Sequence, residues 1–330
     1  MKRRFLQATL ALTAALLLGH LPIQARTDGI DSLNFEVRAS VRATLGSDVH
    51  DATFAGEHLN LNVWGSIGDK LHYRLRQRFT KPLYSETNPL NATDLLLLNY
   101  RFADHWSLDA GKTALYIGGM EFDHAPIDLF YWDKFASGVW QVYALGVNLN
   151  YHSGPQMISA QFVQSPFSLG KVNCFMGSLY WNGRMLPGWD TIWSLNLADH
   201  IDHHKMGYIS LGNRFHLGDF RLDLDLMERY HPDQQGFLSD VSLVFQLLYR
   251  LPKLELFSKG GYDYNDARNG DYDRAVPAGT HAAFIGGGLF FYPVGGARNT
   301  RLHLFGYYEN VTRNLNLSLG ITYRMRLIKK

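Results

Sequence analysis

Long segments in which apolar and polar residues alternate are the feature that most constrains how this chain can fold. In residues 33–45 every second side chain is apolar, and the positions between them are polar or charged. Residues 70–81 alternate in the same way, with several basic side chains on the polar side. Successive side chains of a β-strand point to opposite faces of a sheet, so a period of two indicates strands. The sequence therefore predicts an all-β protein.

Strand length separates a membrane barrel from a soluble sheet. Strands in globular proteins usually have about five or six residues, whereas a tilted strand that crosses a bilayer needs about nine to eleven. The alternating segments at 33–45 and 70–81 belong to the longer class. Continuing the count along the chain gives about sixteen strands, an even number as in single-chain bacterial barrels. We predict a transmembrane antiparallel β-barrel; a soluble β-sandwich is the alternative fold.

The connections between the strands alternate between short and long. Tight turns occur at residues 68–69, 103–104, 153–154, 187–188, 218–219, 252–253 and 295–296. Longer polar connections lie between them at residues 46–56, 82–92, 114–138, 165–171, 199–206, 230–238 and 265–279, with a short final one at 309–313. Tight turns on one rim and long loops on the other are typical of an outer-membrane barrel with periplasmic termini.

The longest connection, residues 114–138, is rich in both acidic and large aromatic side chains. Long connections inside an otherwise short-looped chain are usually functional. So many large apolar groups are unsuited to a loop that extends into water. We therefore predict that this third outer loop folds into the lumen of the barrel and narrows it.

The N-terminal segment has the three parts of a secretory signal. Residues 2–4 are basic, residues 5–18 form an apolar run, and Ile-Gln-Ala at 23–25 is a plausible cleavage site. A transmembrane anchor is the alternative, but the run is shorter than the ~20 residues of a spanning helix. We predict a signal peptide over 1–25 and a single barrel domain over 26–330, exported to the outer membrane of a Gram-negative bacterium.

Sixteen strands with a long third loop resemble the layout of bacterial trimeric porins. Residues 109–112, Asp-Ala-Gly-Lys, followed by residues 118–122, Gly-Gly-Met-Glu-Phe, look like a degenerate form of a stretch in the phosphate-selective porin O and P family. That family has Gly-Lys/Arg and then Pro-Phe-Gly with a nearby acid before its pore loop, whereas this chain has Tyr116-Ile117 at the Pro-Phe position. The resemblance implies a passive, homotrimeric channel for small hydrophilic solutes, with anions such as phosphate among them.

Charge decides which face of the strands points inward. An arginine or lysine that faces lipid at the bilayer midplane costs about 2–4 kcal/mol, so basic positions should line the lumen. The first three strands are neighbours, and the last strand closes against the first. We predict one pore-lining basic wall formed by Arg38, Arg42, Arg74, Arg76, Arg78, Arg324 and Arg326.

Acidic residues of the long connection are predicted to lie opposite this wall. They are Glu121, Asp123, Asp128 and Asp133. Opposed charges across a narrow lumen create a field that selects ions. The alternative is that the arginines are solvated or paired with Glu36, Asp223 and Asp225 and have no effect on permeation. The orientation and role of Lys112, just before the loop, stay open.

Three classes of function remain after this reading. The first is a passive channel, the second an outer-membrane lipase or protease, and the third a non-conducting structural or surface-binding barrel. No nucleophile elbow is present, and the Asp and His residues at 199–204 have no ligand set of fixed spacing. We predict no enzyme activity, no metal and no cofactor. The net charge of +2 gives no reason to expect nucleic acid, so the predicted partners are outer-membrane lipids, small solutes or ions, and further copies of the chain.

Overall fold

The computed structural model describes most of the chain from residue 29 onward. The described residues are 29–46, 50–82, 90–139, 142–168, 173–200, 204–231, 234, 236–269, 276–294 and 298–329. The predicted signal peptide at 1–25 lies outside them.

Sixteen strands account for most of the described residues. They are β1 Ile30–Leu45, β2 His50–Ile67, β3 Leu71–Arg78, β4 Thr93–Arg101, β5 Trp106–Ala114, β6 Tyr143–Ser153, β7 Gln156–Gln164, β8 Phe175–Leu186, β9 Trp189–Asp199, β10 Lys205–Leu217, β11 Phe220–Tyr230, β12 Asp240–Arg250, β13 Leu254–Asn265, β14 His281–Phe291, β15 Thr300–Glu309 and β16 Leu315–Lys329. Between β5 and β6 lie α1 Met120–Asp123, a 3₁₀ turn Pro126–Asp128 and α2 Lys134–Gly138.

The strands form one closed antiparallel barrel. Each strand pairs with its neighbours in sequence, and β1 closes the ring by pairing with β16, with Val37 opposite Tyr323. Closure satisfies the backbone hydrogen bonds of every strand edge, which lipid cannot do. The predicted sixteen-strand antiparallel barrel is confirmed. No helix in the described part of the chain is long and apolar enough to cross a membrane.

The alternation in the sequence corresponds to an apolar outside and a polar inside. In β9, Ser194 and Asn196 are buried whereas Leu195 and Leu197 are more than half exposed. The same pattern recurs around the ring, where most exposed large side chains in the strands are Leu, Ile, Val or Phe. Such an outer surface suits a hydrocarbon solvent, and it leaves the polar side chains to fill the interior.

The connection predicted at residues 46–56 is wrong in its length. Strand β2 begins at His50, and residues 50–56 pair with residues 39–45 of β1. A bulge lies there, because Arg38 is opposite His58 and Ala39 is opposite Gly56, which leaves Glu57 as an extra residue. A bulge shifts the alternation by one position, so the sequence pattern is interrupted where the strand continues. The bulge also turns the Glu57 carboxylate toward Arg38 and Arg42.

Candidate functional site: the β5–β6 loop and the inner face of the barrel

The connection between β5 and β6, residues 115–142, is called here the β5–β6 loop; residues 140–141 are not described. It begins and ends at adjacent strands. Tyr116, near its start, bonds to Gln161 of β7 and Asn148 of β6, but the other polar contacts of the loop reach strands on the rest of the ring. These partners belong to β1, β10, β11, β13, β15 and β16.

The first attachment is a buried carboxylate on β11. Asp225 accepts hydrogen bonds from the backbone N–H groups of Met120 (2.7 Å) and Glu121 (2.8 Å) at the start of α1. Glycine is needed on both sides of this contact. A Cβ on Gly119 would lie 2.1 Å from an Asp225 oxygen, and a Cβ on Gly212 of β10 would lie 2.6 Å from the Met120 nitrogen. The loop backbone therefore lies directly against the wall.

Two ion pairs follow along the loop. Glu121 binds Lys259 of β13 at 2.5 Å, and the same ammonium donates to the Tyr131 carbonyl at 2.7 Å. Asp123 binds Arg214 of β10 at 3.1 Å, and Arg214 also binds Asp223 at 2.8 Å. Lys259 therefore joins two separate parts of the loop to one strand.

Asp128 is held between two guanidinium groups. It binds Arg301 of β15 at 3.0 Å and Arg324 of β16 at 2.7 Å. Burial alone would raise the pKa of this carboxyl, but the attraction of both arginines outweighs burial and holds the pKa below its usual value. On β1, Arg38 donates to the carbonyls of Ile127 (2.8 Å) and Leu129 (2.6 Å), so the 3₁₀ turn is bound from three strands.

Asp133 has a different environment from the other three predicted acids. Its side chain is fully buried and accepts a hydrogen bond from the Ala136 N–H at 2.5 Å as the N-cap of α2. Burial, together with the nearby carboxylates of Glu121 and Asp263, raises its pKa well above the usual value. The loop acids are thus three ion-paired groups and one helix cap.

An apolar core attaches the loop to the inner face of β6 to β12 and β14. Leu115, Ile117, Phe135 and Val139 of the loop are buried in one cluster with inward-facing wall residues. The wall members are Ala144, Val163, Met176, Ala198, Met206, Tyr208, Met227, Val244 and Phe284, with Phe167 from the β7–β8 connection. The loop is therefore fixed by apolar packing on one side and by charge on the other.

The arginines of the first three strands have partners that the sequence reading missed. Arg38 and Arg42 both bind Glu57, with Arg42 at 2.6 Å. Arg76 and Arg78 both bind Asp94 of β4, at 3.2 and 2.7 Å. Both acids were hidden by bulges: Glu57 is the extra residue where β2 pairs with β1, and Asp94 is the extra residue where β4 pairs with β3, between Thr93 and Leu95.

The remaining predicted basic residues differ in their surroundings. Arg74 lies over the Trp64 ring, 5.2 Å from its centre. Arg324 binds Glu36 (3.1 Å) in addition to Asp128, and Arg326 is exposed. Of the acids considered as alternative partners, Glu36 does pair with a wall residue, Arg324. Asp223 binds Arg214, and Asp225 accepts from the loop backbone.

Lys112 and the Asp/His cluster contribute little to this arrangement. Lys112 is buried, and its ammonium donates to the Leu90 carbonyl at 2.8 Å. Within the cluster at 199–204, residues 201–203 lie outside the described part of the chain, and Asp199 binds Lys205 at 2.9 Å. The described residues contain no group of three or more His, Cys, Asp or Glu side chains positioned to hold a metal ion.

A cavity of about 260 Å³ lies beside the loop. It is bounded by loop residues 128–131 and by inner-face residues of strands β11 to β16, including Arg221, Phe257, Phe290, Arg301 and Arg324. Aromatic rings and basic groups therefore share one space inside the barrel.

Three solved structures share this barrel at low sequence identity. The anion-selective porin from Comamonas acidovorans superposes with a TM-score of 0.63 at 10% identity, over 89% of this chain and 99% of that chain. The outer membrane channel DcaP of Acinetobacter baumannii gives 0.62 at 14% identity, over 89% of this chain and 96% of that chain. OmpTdeltaL8, a loop L8 deletion mutant of the outer membrane protein OmpT of Vibrio cholerae, gives 0.62 at 12% identity, over 90% and 100%.

These similarities define the fold as the sixteen-strand barrel of outer-membrane porins. At such identities they show the fold alone. No protein-family profile matches the chain, and no curated protein matches it. The finer resemblance to the phosphate-selective porin O and P family stays a prediction.

Proposed function

We propose that this protein is a passive channel of the Gram-negative outer membrane, exported after loss of residues 1–25, for small hydrophilic solutes. The observation that carries the proposal is the attachment of the β5–β6 loop to wall strands across the barrel. The loop joins β5 to β6 and also binds Arg38, Asp225, Lys259, Arg301 and Arg324 of other strands, which supports a path inward from its own strands. In this proposal the loop lies in the lumen and sets the width of the pore.

The attachments support a pore with a fixed width. A loop held only by its ends would move freely, whereas Asp225, Lys259 and the pair Arg301 and Arg324 bind it at three separated points. Charged side chains that line a narrow, low-dielectric passage also bias which ions enter. A fixed constriction with charged walls is what a selective diffusion channel requires.

The sign of the charge supports a preference for anions. Several carboxylates of the inner face each bind two guanidinium groups: Glu57 binds Arg38 and Arg42, and Asp94 binds Arg76 and Arg78. Each cluster of one carboxylate and two guanidinium groups carries a net positive charge. We propose that the basic wall of Arg38, Arg42, Arg74, Arg76, Arg78, Arg324 and Arg326 attracts anions, with phosphate as one solute to be tested.

Planar-bilayer recording of the purified protein tests this function. We expect stepwise conductance in KCl and, in a salt gradient, a reversal potential of the sign given by chloride permeation. Heat-unfolded protein at the same concentration is the control. A cation-selective reversal potential would contradict the anion preference while leaving the channel intact.

A non-conducting barrel is the second candidate, and one observation favours it. The apolar core of Leu115, Ile117, Phe135 and Val139 fills space between the loop and the inner faces of several strands. If this packing closes the lumen, the folded protein will insert into bilayers without conductance steps. An outer-membrane lipase or protease would instead show turnover of an ester or peptide substrate, which a passive channel does not.

We further propose that the protein assembles as a homotrimer through the outer face of β1, β2, β15 and β16. Small residues lie there, among them Ala39, Ala55 and Gly56, beside a shallow apolar groove. Phe54 projects from the same surface and is 89% exposed. A structure of OmpT from Vibrio cholerae is described as a trimer form, which is consistent with assembly by this fold.

Crosslinking and native mass spectrometry in mild detergent test the assembly. We expect trimers of the unaltered protein and monomers of Ala39→Trp, because a bulky ring at a small outward position prevents close approach. Ala160→Trp, at an exposed position of β7, is the matched control and should stay trimeric. Monomers alone from the unaltered chain would contradict this part of the proposal.

A further inference from the structure

The inner face of β13, β14 and β15 departs from the polar lining that a membrane barrel usually has. Phe257, Phe290 and Phe305 face inward there, and Phe130 of the loop packs among them. The Phe257 and Phe290 rings are stacked, with centres 4.6 Å apart and planes 9° apart. Lumen-facing positions of such barrels are normally polar. Inward rings of this number therefore call for a reason beyond barrel construction.

Part of the reason is attachment of the loop, but the rings also border open space. Phe130, Phe257, Tyr131 and Tyr307 are only partly buried, and all four line the cavity of about 260 Å³. Rings that served only as packing would leave no such space beside them. The volume is just below the ~300–1,000 Å³ of pockets for drug-sized ligands, so the cavity suits a small solute.

Glycines on β14 make room for the rings. Gly286 is opposite Tyr307, and Gly288 is opposite Phe305. A Cβ on Gly286 would lie 2.5 Å from the Tyr307 Cβ, and one on Gly288 would lie 2.5 Å from the Phe305 Cβ. The rings of β15 can therefore lie against bare backbone. The result is an aromatic surface in which Phe257 and Phe290 are parallel and Phe305 is tilted by 46° to Phe257. Aromatic rings exposed in this way can stack with another ring.

The same cavity has an excess of positive charge. Among the described residues, six arginine or lysine side chains line it but only two carboxylates do, Asp128 and Glu255. Glu255 is shared by Arg250 and Arg298, and Asp128 is shared by Arg301 and Arg324. Three acids that do not line the cavity bind other cations of its lining: Glu121 binds Lys259, Asp223 binds Arg221 and Glu36 binds Arg324. The excess of positive charge therefore lies at Arg250 and Arg298, which share Glu255. Arg298 is about half exposed, so its guanidinium is accessible to an anion that enters the cavity.

We infer that this cavity is a binding site for small aromatic carboxylates on their way through the barrel. The ring of such a solute stacks on the Phe257 surface, and its carboxylate binds the guanidinium groups near Arg298. This inference rests on the proposed channel function and adds a solute class to it. Neither half of the site suffices, because simple inorganic anions lack the ring and neutral aromatic molecules lack the charge.

Isothermal titration calorimetry of the detergent-purified protein tests the site, with benzoate as probe and a detergent blank to remove partitioning. Acetate supplies the charge alone and benzyl alcohol supplies the ring alone. We expect benzoate to bind more tightly than both. Phe257→Leu should weaken benzoate binding by about three- to ten-fold, and Arg298→Gln by about ten-fold. Raised salt should weaken benzoate binding and leave benzyl alcohol unchanged.

Phe245→Leu is the matched control, because Phe245 is an exposed ring on the outer face of β12. It should bind benzoate as the unaltered protein does. If Phe257→Leu does not fold, as judged by heat-modifiable migration on a gel, Tyr307→Leu tests the same surface. Equal affinity for benzoate and acetate, or equal effects of Phe257→Leu and Phe245→Leu, would overturn the inference.

Recording from the same preparation separates this inference from the channel proposal. Conductance in KCl without benzoate binding would overturn the aromatic site and leave the channel standing. Benzoate binding that depends on Phe257 and Arg298, in a barrel without conductance, would support the site and overturn the channel. With both proposals correct, benzoate should shorten open times or reduce the current, and Phe257→Leu should lessen that effect.

Discussion

The inner face of this barrel has two parts that use polar side chains in different ways. On β5 to β7, amides and hydroxyls bond to the next strand around one carboxylate, Asp109, which accepts from Asn148 and Asn150. Gln161 donates to Asn148 at 2.9 Å, and Ser159 donates to Asn150 at 2.7 Å. On β10 to β16 and β1, charged groups bond to the β5–β6 loop, as Asp128 does to Arg301 and Arg324. The first part joins neighbours in the ring, and the second holds a segment in place across it.

The difference shows that contacts between neighbouring strands and contacts with the distant loop have different roles. Amides a few ångströms apart on paired strands satisfy each other and the single carboxylate among them, Asp109, by short-range hydrogen bonds. Ion pairs act over longer distances and can hold a loop whose own backbone has few internal bonds, but they leave charge along the path of a solute. We therefore expect changes in the amide part to alter stability, and changes in the charged part to alter permeation.

The largest effect is expected from Asp225→Ala. This change leaves the N–H groups of Met120 and Glu121 without their acceptor, at about 1–3 kcal/mol for each buried donor. The start of the loop should then detach, and unit conductance and current noise should rise in planar-bilayer recordings. Asp190→Ala, which removes an exposed carboxylate paired with Arg184, is the control and should change neither. Unchanged conductance for Asp225→Ala would show that this attachment does not set the pore.

Whether a feature of this barrel could be predicted from the sequence depends on how far apart along the chain the contacting residues lie. Alternation is a property of neighbouring residues, and it gave the strand number, the closed barrel and the inward side of Arg38 and Arg76. The acids at 121, 123 and 128 could be placed on the loop. Their partners Arg214, Lys259 and Arg301 lie 91 or more residues away along the chain, and nothing in a local pattern selects which inward cation meets which acid.

The bulge at Glu57 limits the sequence reading in another way. One extra residue exchanges inward and outward positions, so the alternation of β2 fails at the point where it matters. The aromatic surface at Phe257 could not be read either, since inward phenylalanines on β13 to β15 resemble lipid-facing ones in a sequence. Departures from a pattern become visible only when the neighbouring strands are in place.

The second effect in size is a change in pH dependence at Asp128. Its pKa is lowered, so the attachment to Arg301 and Arg324 is complete above the usual carboxyl pKa of about 3.9 and is lost only as the pH falls through the lower native value. In the variant Arg324→Gln one of the two opposing charges is lost, so the pKa should rise while Arg301 still holds the carboxylate. Noise in the current should then begin at a higher pH on acidification. The same pH profile for both proteins would contradict the assigned cause.

A smaller effect is expected from the basic wall itself. Arg74→Gln, Arg76→Gln and Arg78→Gln together remove three positive charges and leave Asp94 unpaired, so the reversal potential should shift toward cations. Arg74→Gln alone should shift it less, because Arg74 stacks on Trp64 and its loss frees no carboxylate of an ion pair. Both shifts should shrink at 1 M salt, where the Debye length is about 3 Å.

Arg268→Gln is the control for that series, because Arg268 is exposed in an outer connection and binds Asp266 there. It should leave the reversal potential nearly unchanged at low salt. A triple variant that behaves like Arg268→Gln would mean that the arginines of β3 do not govern permeation and serve only as partners of Asp94.

The smallest effect is expected in the amide part. Ser159→Ala removes the donor to the side-chain oxygen Oδ1 of Asn150. A typical hydrogen bond of this kind contributes about 0.5–1.5 kcal/mol. The midpoint of heat unfolding, followed by gel migration, should fall by a few degrees, and the reversal potential should stay the same because no charge is lost. Ser137→Ala, in an exposed hydroxyl contact with the Lys134 carbonyl, is the matched control and should leave the midpoint unchanged. A reversal-potential shift as large as that of Arg74→Gln would mean that the amide part also lines the path of the ions, and the division between the two parts of the inner face would fail.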